Sequence, residues 1–127
     1  MPNPPVIAVV DDDEAMRLAL SELVEVLSLT CRDFDRAEAF LAAYEPQAFD
    51  CLITDLSLPG LGGLELQRKL RALGSSLPII VVTAASNPML RTRALADGAF
   101  AYLEKPVKDR VLVDHIMSAL REGKAQA

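Results

Sequence analysis

The chain alternates short apolar runs with stretches of helical periodicity. Val6–Val10 is a continuous apolar run, rich in β-branched residues, that ends at Asp11. A run so short and unbroken predicts a strand buried on both faces. Leu20, Leu23, Val24 and Leu27 then fall at i, i+3, i+4 and i+7, one face of a helix, with Asp12 or Asp13 as its cap. Thr30–Phe34 predicts a short strand, and Asp35–Tyr44 a helix that Pro46 stops. Phe49–Thr54 predicts a second buried strand, ending at Asp55. Residues 58–63 (LPGLGG) form a loop. Leu66, Leu70 and Leu73 mark a third helix with Gly74 as its C-terminal cap. Pro78–Thr83 predicts a strand, Pro88–Asp97 a helix closed by Gly98, and Phe100–Leu103 the last strand. Leu112, Val113, Ile116, Met117 and Leu120 mark the core face of the last helix.

Five strands alternating with five helices imply a parallel sheet with helices on both faces, joined by right-handed crossovers. In such sheets function gathers at the carboxyl ends of the strands. The residues found there are Asp11, Asp12, Asp55, Thr83, Glu104 and Lys105. Three carboxylates ending two neighbouring strands repel one another unless a cation joins them. Lys105 is a fixed cation, and a divalent metal with hard oxygen ligands, such as Mg²⁺, is a second. Acids, a cation and the Thr83 hydroxyl at one sheet edge suit a phosphoryl group.

Composition narrows the classes. At 127 residues the chain is read as one domain, 1–127, with a core over about residues 5–121. Hydrophobic residues make up 51%, which excludes a disordered tail or a coiled coil. A net charge of −5 disfavours direct nucleic-acid binding by this domain. Cys31 and Cys51 are read as free thiols of a reducing compartment. Met1–Pro5 has no signal-peptide pattern, and no apolar run reaches the ~20 residues of a membrane span. The expected location is the cytoplasm.

Together, VVDDD at 9–13, ITDLSLPGLGGLEL at 53–66, VVTAA at 81–85 and AYLEKP at 101–106 carry a resemblance over essentially the whole chain. The sequence resembles the receiver domain of bacterial two-component response regulators, closest to receivers that precede a helix-turn-helix output domain. The resemblance implies a doubly wound (βα)5, flavodoxin-like three-layer sandwich with strand order 2-1-3-4-5. It implies that Asp55 is the phospho-acceptor. Asp11, Asp12, Asp55 and the backbone carbonyl of Ser57 would hold Mg²⁺, with Asp12 ahead of Asp11 as a direct ligand. Thr83 and Lys105 would bind phosphate oxygens, and Tyr102 would swing inward when Thr83 moves. The Lys105–Pro106 bond is expected to be cis. The implied partners are a sensor histidine kinase, an output domain or downstream protein, and a second copy through the 88–121 face. The expected role is a signalling switch that catalyses its own phosphoryl transfer and hydrolysis, not an enzyme acting on a separate substrate.

Plainer readings exist for each residue. Asp11 and Asp12 suit a helix cap, Asp55 a turn, Thr83 a strand, Lys105 a solvated loop, and Tyr102 a half-buried strand position. His115, Arg91 and Arg93 read as surface residues. Gly62 and Gly63 read as turn formers, since no Lys-Ser/Thr follows as in a phosphate-binding loop. Four residues at four matching strand ends outweigh the separate explanations. The alternative within the fold is an interaction module that works without phosphate. A haloacid-dehalogenase-type phosphatase would need an acid where Ser57 stands, and a flavodoxin-like FMN carrier a Ser/Thr/Gly-rich first loop. Departures from the family pattern are the additional Asp13, Val107 after the Lys-Pro pair, and the small Ser57 and Ala85. If the strand order holds, Cys31 and Cys51 lie two strands apart, too far for a disulfide.

Overall fold

The computed structural model describes residues 4–125, with side chains described over 4–122. Met1–Asn3, part of the segment read for a signal peptide, and the side chains of the polar tail from residue 123 lie outside the described residues. The elements run β1 (Val6–Val10), α1 (Glu14–Val26), β2 (Thr30–Phe34), α2 (Ala37–Ala43), β3 (Cys51–Thr54), α3 (Gly63–Ala72), β4 (Ile79–Thr83), α4 (Pro88–Ala96), β5 (Ala101–Glu104) and α5 (Asp109–Ala125). The five strands form one parallel sheet in the order β2-β1-β3-β4-β5. Among the described residues no helix is long and apolar enough to cross a membrane.

Side chains alternate across the sheet, as the two-residue period of a strand requires. Ile7, Val9, Cys51, Ile53, Ile80 and Val82 pack on one face against Leu20 and Val24 of α1 and Leu112, Ile116 and Ala119 of α5. Ala8, Val10, Leu52, Ile79 and Val81 pack on the other against α2, α3 and α4. Both faces are covered, which is why β1, β3 and β4 read as unbroken apolar runs. Ile7 pairs with Cys31 on one side and Cys51 on the other, so a whole strand separates the two cysteines. Both thiols are free, and burial pushes the Cys51 thiol up to about 12.

The helix ends explain most boundary differences. Asp13, not Asp12, caps α1, accepting the Ala15 and Met16 N–H groups. α2 starts at Ala37, two residues later than the periodicity suggested. β3 starts at Cys51; just before it, the Asp50 N–H donates to the Val6 carbonyl and the Asp50 carboxylate accepts the Val6 N–H, each at 2.8 Å. Asn87 caps α4 with Pro88 in its first turn. Two expected core residues face solvent. Leu73 is 66% exposed, because it is the C-cap of α3, where the chain turns away into Gly74 at φ +81°. Met117 is 39% exposed, and Ala119 takes the core position instead. His115 is partly exposed, as read, with Nδ1 2.9 Å from the Val111 carbonyl.

Gln67 is a polar residue in the second core. It is 1% exposed, donates Nε2 to the Ala94 carbonyl at 2.9 Å, and leaves Oε1 without a partner among the described residues. A buried acceptor left unpaired costs about 1–3 kcal/mol. The Ala94 carbonyl keeps a second donor, the Ala99 N–H. Gln67→Leu is therefore expected to raise stability by about 1 kcal/mol, read as a higher denaturation midpoint in urea. A lower midpoint would mean that the bond to α4 outweighs the orphaned oxygen.

Candidate functional site

Strand register builds the site. Val10 pairs with Thr54, so Asp11 and Asp55 leave the sheet side by side, and the Asp55 N–H donates to the Val10 carbonyl at 3.1 Å. Thr83 pairs with Glu104, and the Lys105 N–H donates to the Thr83 carbonyl at 2.8 Å. The Lys105–Pro106 bond is cis. Lys105 Nζ donates to Asp11 Oδ2 at 2.9 Å and to Asp55 Oδ2 at 2.8 Å. The other carboxylate oxygens are also engaged. Asp11 Oδ1 accepts the Asp13 N–H at 2.9 Å, and Asp55 Oδ1 accepts the Ser57 N–H at 3.0 Å. The Asp11 and Asp55 side chains are 2% and 8% exposed.

Burial pushes the Asp55 carboxyl up, but Lys105, the Ser57 N–H and the Thr83 hydroxyl outweigh it and hold the group below its ordinary 3.8. Burial pulls the Lys105 ammonium down, and the two carboxylates outweigh that and hold it above 10.5. The signs fix a pH window. The lowered Asp55 contributes stability above the unfolded carboxyl value, lost as pH falls through the folded one. The raised Lys105 contributes stability below the unfolded ammonium value, lost as pH rises through the folded one. This pair's contribution is expected to be level between about pH 5 and about pH 9 and to fall on both sides, as read by urea midpoints across that range.

Thr83 is fully buried, and its Oγ1 accepts the Ala85 N–H at 3.2 Å. The Ala85 carbonyl accepts the Tyr102 hydroxyl at 3.1 Å. Tyr102 is 6% exposed, so its ring is already inside in this structure. Ala85, which sequence offered only as a small residue, thus joins Thr83 to Tyr102 through its backbone. No residue-type signal marks such a contact.

The acidic residues do not converge as a trio. Asp11 and Asp55 meet at Lys105, while Asp12 stands exposed at the rim beside them. Among the described residues, no three acidic, His or Cys side chains stand close enough together to hold a metal. The donor set still fits a hard cation. The three carboxylates of Asp11, Asp12 and Asp55 outnumber Lys105, the cation that pairs with two of them, and the Asp12 carboxylate and Ser57 lie on the exposed side. Oxygen donors with open positions for water suit Mg²⁺.

Gly63 is the residue whose role sequence missed. It opens α3 and is buried, and a Cβ there would run into the Asp55 carbonyl and come within 2.8 Å of Leu56 Cα. A helix start can back onto the Asp55 peptide this closely only without a side chain.

The family described as the response regulator receiver domain matches residues 7–117. The transcriptional regulatory protein FixJ of Bradyrhizobium diazoefficiens is 38% identical over 121 residues, covering 95% of this chain and 59% of that protein. The response regulator protein TmoT of Ectopseudomonas mendocina is 38% identical over 116 residues, covering 91% of this chain and 53% of its own length. The chain therefore spans a little over half the length of these relatives. A CheY-like receiver domain structure from Methanospirillum hungatei superposes with a TM-score of 0.92 at 29% identity, covering 98% of this chain and 100% of that one. With the fold, the strand order and the family match over residues 7–117 in agreement, the chain belongs to the response regulator receiver domain family.

Proposed function

We propose that Asp55 accepts a phosphoryl group from the phosphohistidine of a sensor kinase and that the phosphorylated site switches the 88–121 face. The observation that carries this reading is Lys105 Nζ, bonded at once to the carboxylates that end two adjacent strands. An Asp55 oxygen forms the new bond to phosphorus, and the bond to the histidine nitrogen breaks, the nitrogen keeping the electron pair. The neighbours that hold the Asp55 carboxyl down favour its ionised form, the form a nucleophile needs. Phosphorylation adds roughly −1.5 to −2 charges at this edge. Lys105 can then turn from the carboxylates to the phosphate oxygens. Thr83 can give them its hydroxyl, drawing on the chain that runs through Ala85 to Tyr102.

Asp11, Asp12, Asp55 and the Ser57 carbonyl are the residues that would hold Mg²⁺, which would offset the charge gathering on the phosphoryl oxygens. The downstream partner is an output domain or a separate protein, with a second copy of this chain through the 88–121 face as a further partner. Similarity to transcriptional regulators such as FixJ supports an output that acts on transcription.

The test is intact mass after incubation with acetyl phosphate, with Mg²⁺ or with excess chelator. One phosphoryl group per chain is expected with the metal and none with the chelator. No gain under either condition would favour a receiver-fold module that works without phosphate.

A further inference from the structure

Arg17 lies on α1, one turn after the cap, and its side chain is 18% exposed. Its guanidinium spans two strand ends. Nη1 donates to the Asp11 carbonyl at 2.9 Å, and Nε donates to Asp33 Oδ2 on β2 at 3.1 Å. Asp11 is thereby held at four atoms. Its N–H donates to the Phe34 carbonyl, its Oδ1 accepts from Asp13, its Oδ2 accepts from Lys105, and its carbonyl accepts from Arg17. Three of these grips place the Asp11 residue itself. The fourth, from Arg17, fixes the plane of the peptide that leads into Asp12.

Asp12 has no such grip of its own. It is exposed, and its carboxylate makes no ion pair with the described residues. Its direction depends on the 11–12 peptide, whose oxygen is the Arg17 acceptor. We propose that Arg17, braced by Asp33, is a positioning residue that aims the Asp12 carboxylate and so sets the affinity of the acidic edge for a divalent cation. The inference rests on the reading of that edge given under Proposed function.

Coulomb's law alone points the other way. A guanidinium near the acids repels a cation, so its removal would tighten binding. Positioning and charge therefore predict opposite signs. Lysine keeps the charge but loses the planar fork that reaches two acceptors at once. Groups that orient metal ligands typically change affinity by about 10–100-fold when removed.

The experiment is a titration of the ¹⁵N-labelled full chain with MgCl₂ alone, read by amide shifts near residues 11–13 and 55–57, with urea midpoints measured in parallel. Arg17→Met and Arg17→Lys are both expected to weaken Mg²⁺ binding about tenfold. Asp33→Ala, which removes the brace without touching α1, is expected to weaken it by a smaller factor. That loss is expected to persist at about 0.5 M KCl, where exposed charges are screened. Should the Arg17 variants fail to give dispersed spectra, Asp33→Ala carries the test alone. Tighter binding in Arg17→Met with no change in Arg17→Lys would leave only electrostatics and overturn the proposal. Lower urea midpoints with unchanged affinity would assign Arg17 a purely structural role and overturn it as well. Failure of the unsubstituted chain to bind Mg²⁺ would instead overturn the reading of the edge on which the inference stands.

Discussion

Lys105→Met is expected to destabilise the protein at neutral pH by on the order of 3 kcal/mol, the cost of leaving buried charges without their partner. The lysine is the shared donor of two carboxylates that are 2% and 8% exposed. Without it, burial of Asp55 is opposed only by the Ser57 N–H and the Thr83 hydroxyl, and the carboxyl is expected to move up from where Lys105 holds it. The pH dependence on the acid side is expected to change with it. In the unsubstituted protein, acid removes the contribution of the ionised Asp55. In the variant, acid protonates a carboxylate that is costly to keep charged, so the deficit narrows as pH falls from about 7 towards about 5. Added Mg²⁺ is expected to recover part of the loss by supplying the missing positive charge. Urea titrations at the two pH values, with and without the metal, check all three expectations. An unchanged midpoint at neutral pH would mean that water solvates this edge well enough to make the lysine dispensable.

Gly63→Ala is expected to cost about 3 kcal/mol, the upper range for forcing one additional methyl into a packed site. The methyl meets backbone rather than a flexible side-chain end, so relief requires the Asp55–Leu56 peptide to move. That movement also displaces the Ser57 N–H, which holds Asp55 Oδ1 at 3.0 Å. The variant is therefore expected to lose phosphoryl acceptance as well as stability. Gly74→Ala is the comparison. It meets open space, so its loss reflects only the left-handed backbone. It lies at the far end of α3 and is expected to leave phosphoryl acceptance unchanged. Equal effects of the two substitutions on phosphoryl acceptance would contradict the role given to Gly63.

The fold was legible where burial is two-sided. β1, β3 and β4 are apolar runs because helices cover both faces, and β1 and β2 have the bounds the pattern predicted. Legibility failed at helix ends. Spacing of three and four places Leu73 on the core face of α3, but the chain has left the helix there. Met117 lies on the edge of the α5 stripe, and the small Ala119, which hydrophobic spacing undervalues, fills the buried position.

The site divides the same way. Asp11, Asp55, Thr83 and Lys105 could be picked out because each ends a strand, and topology brings strand ends together. Asp12 shares their sequence neighbourhood but not their contacts, because adjacent residues leaving a strand point in different directions. The remaining parts rest on backbone atoms. Arg17 binds a carbonyl, Ala85 offers one to Tyr102, and Gly63 leaves room for another. Residue type says nothing about such partners. An arginine on an amphipathic helix, an alanine after a strand and a second glycine in a turn are all ordinary until register places them.

The most direct measurement of the central claim locates the phosphoryl group chemically. An acyl phosphate on an aspartate is reduced by borohydride to the alcohol, leaving homoserine in its place. The full chain, phosphorylated with acetyl phosphate and Mg²⁺ and then reduced, is expected to yield homoserine at position 55 and aspartate at 11, 12 and 13, as read by peptide mass spectrometry. Homoserine at any of those three positions, with Asp55 unmodified, would contradict the assignment of the nucleophile.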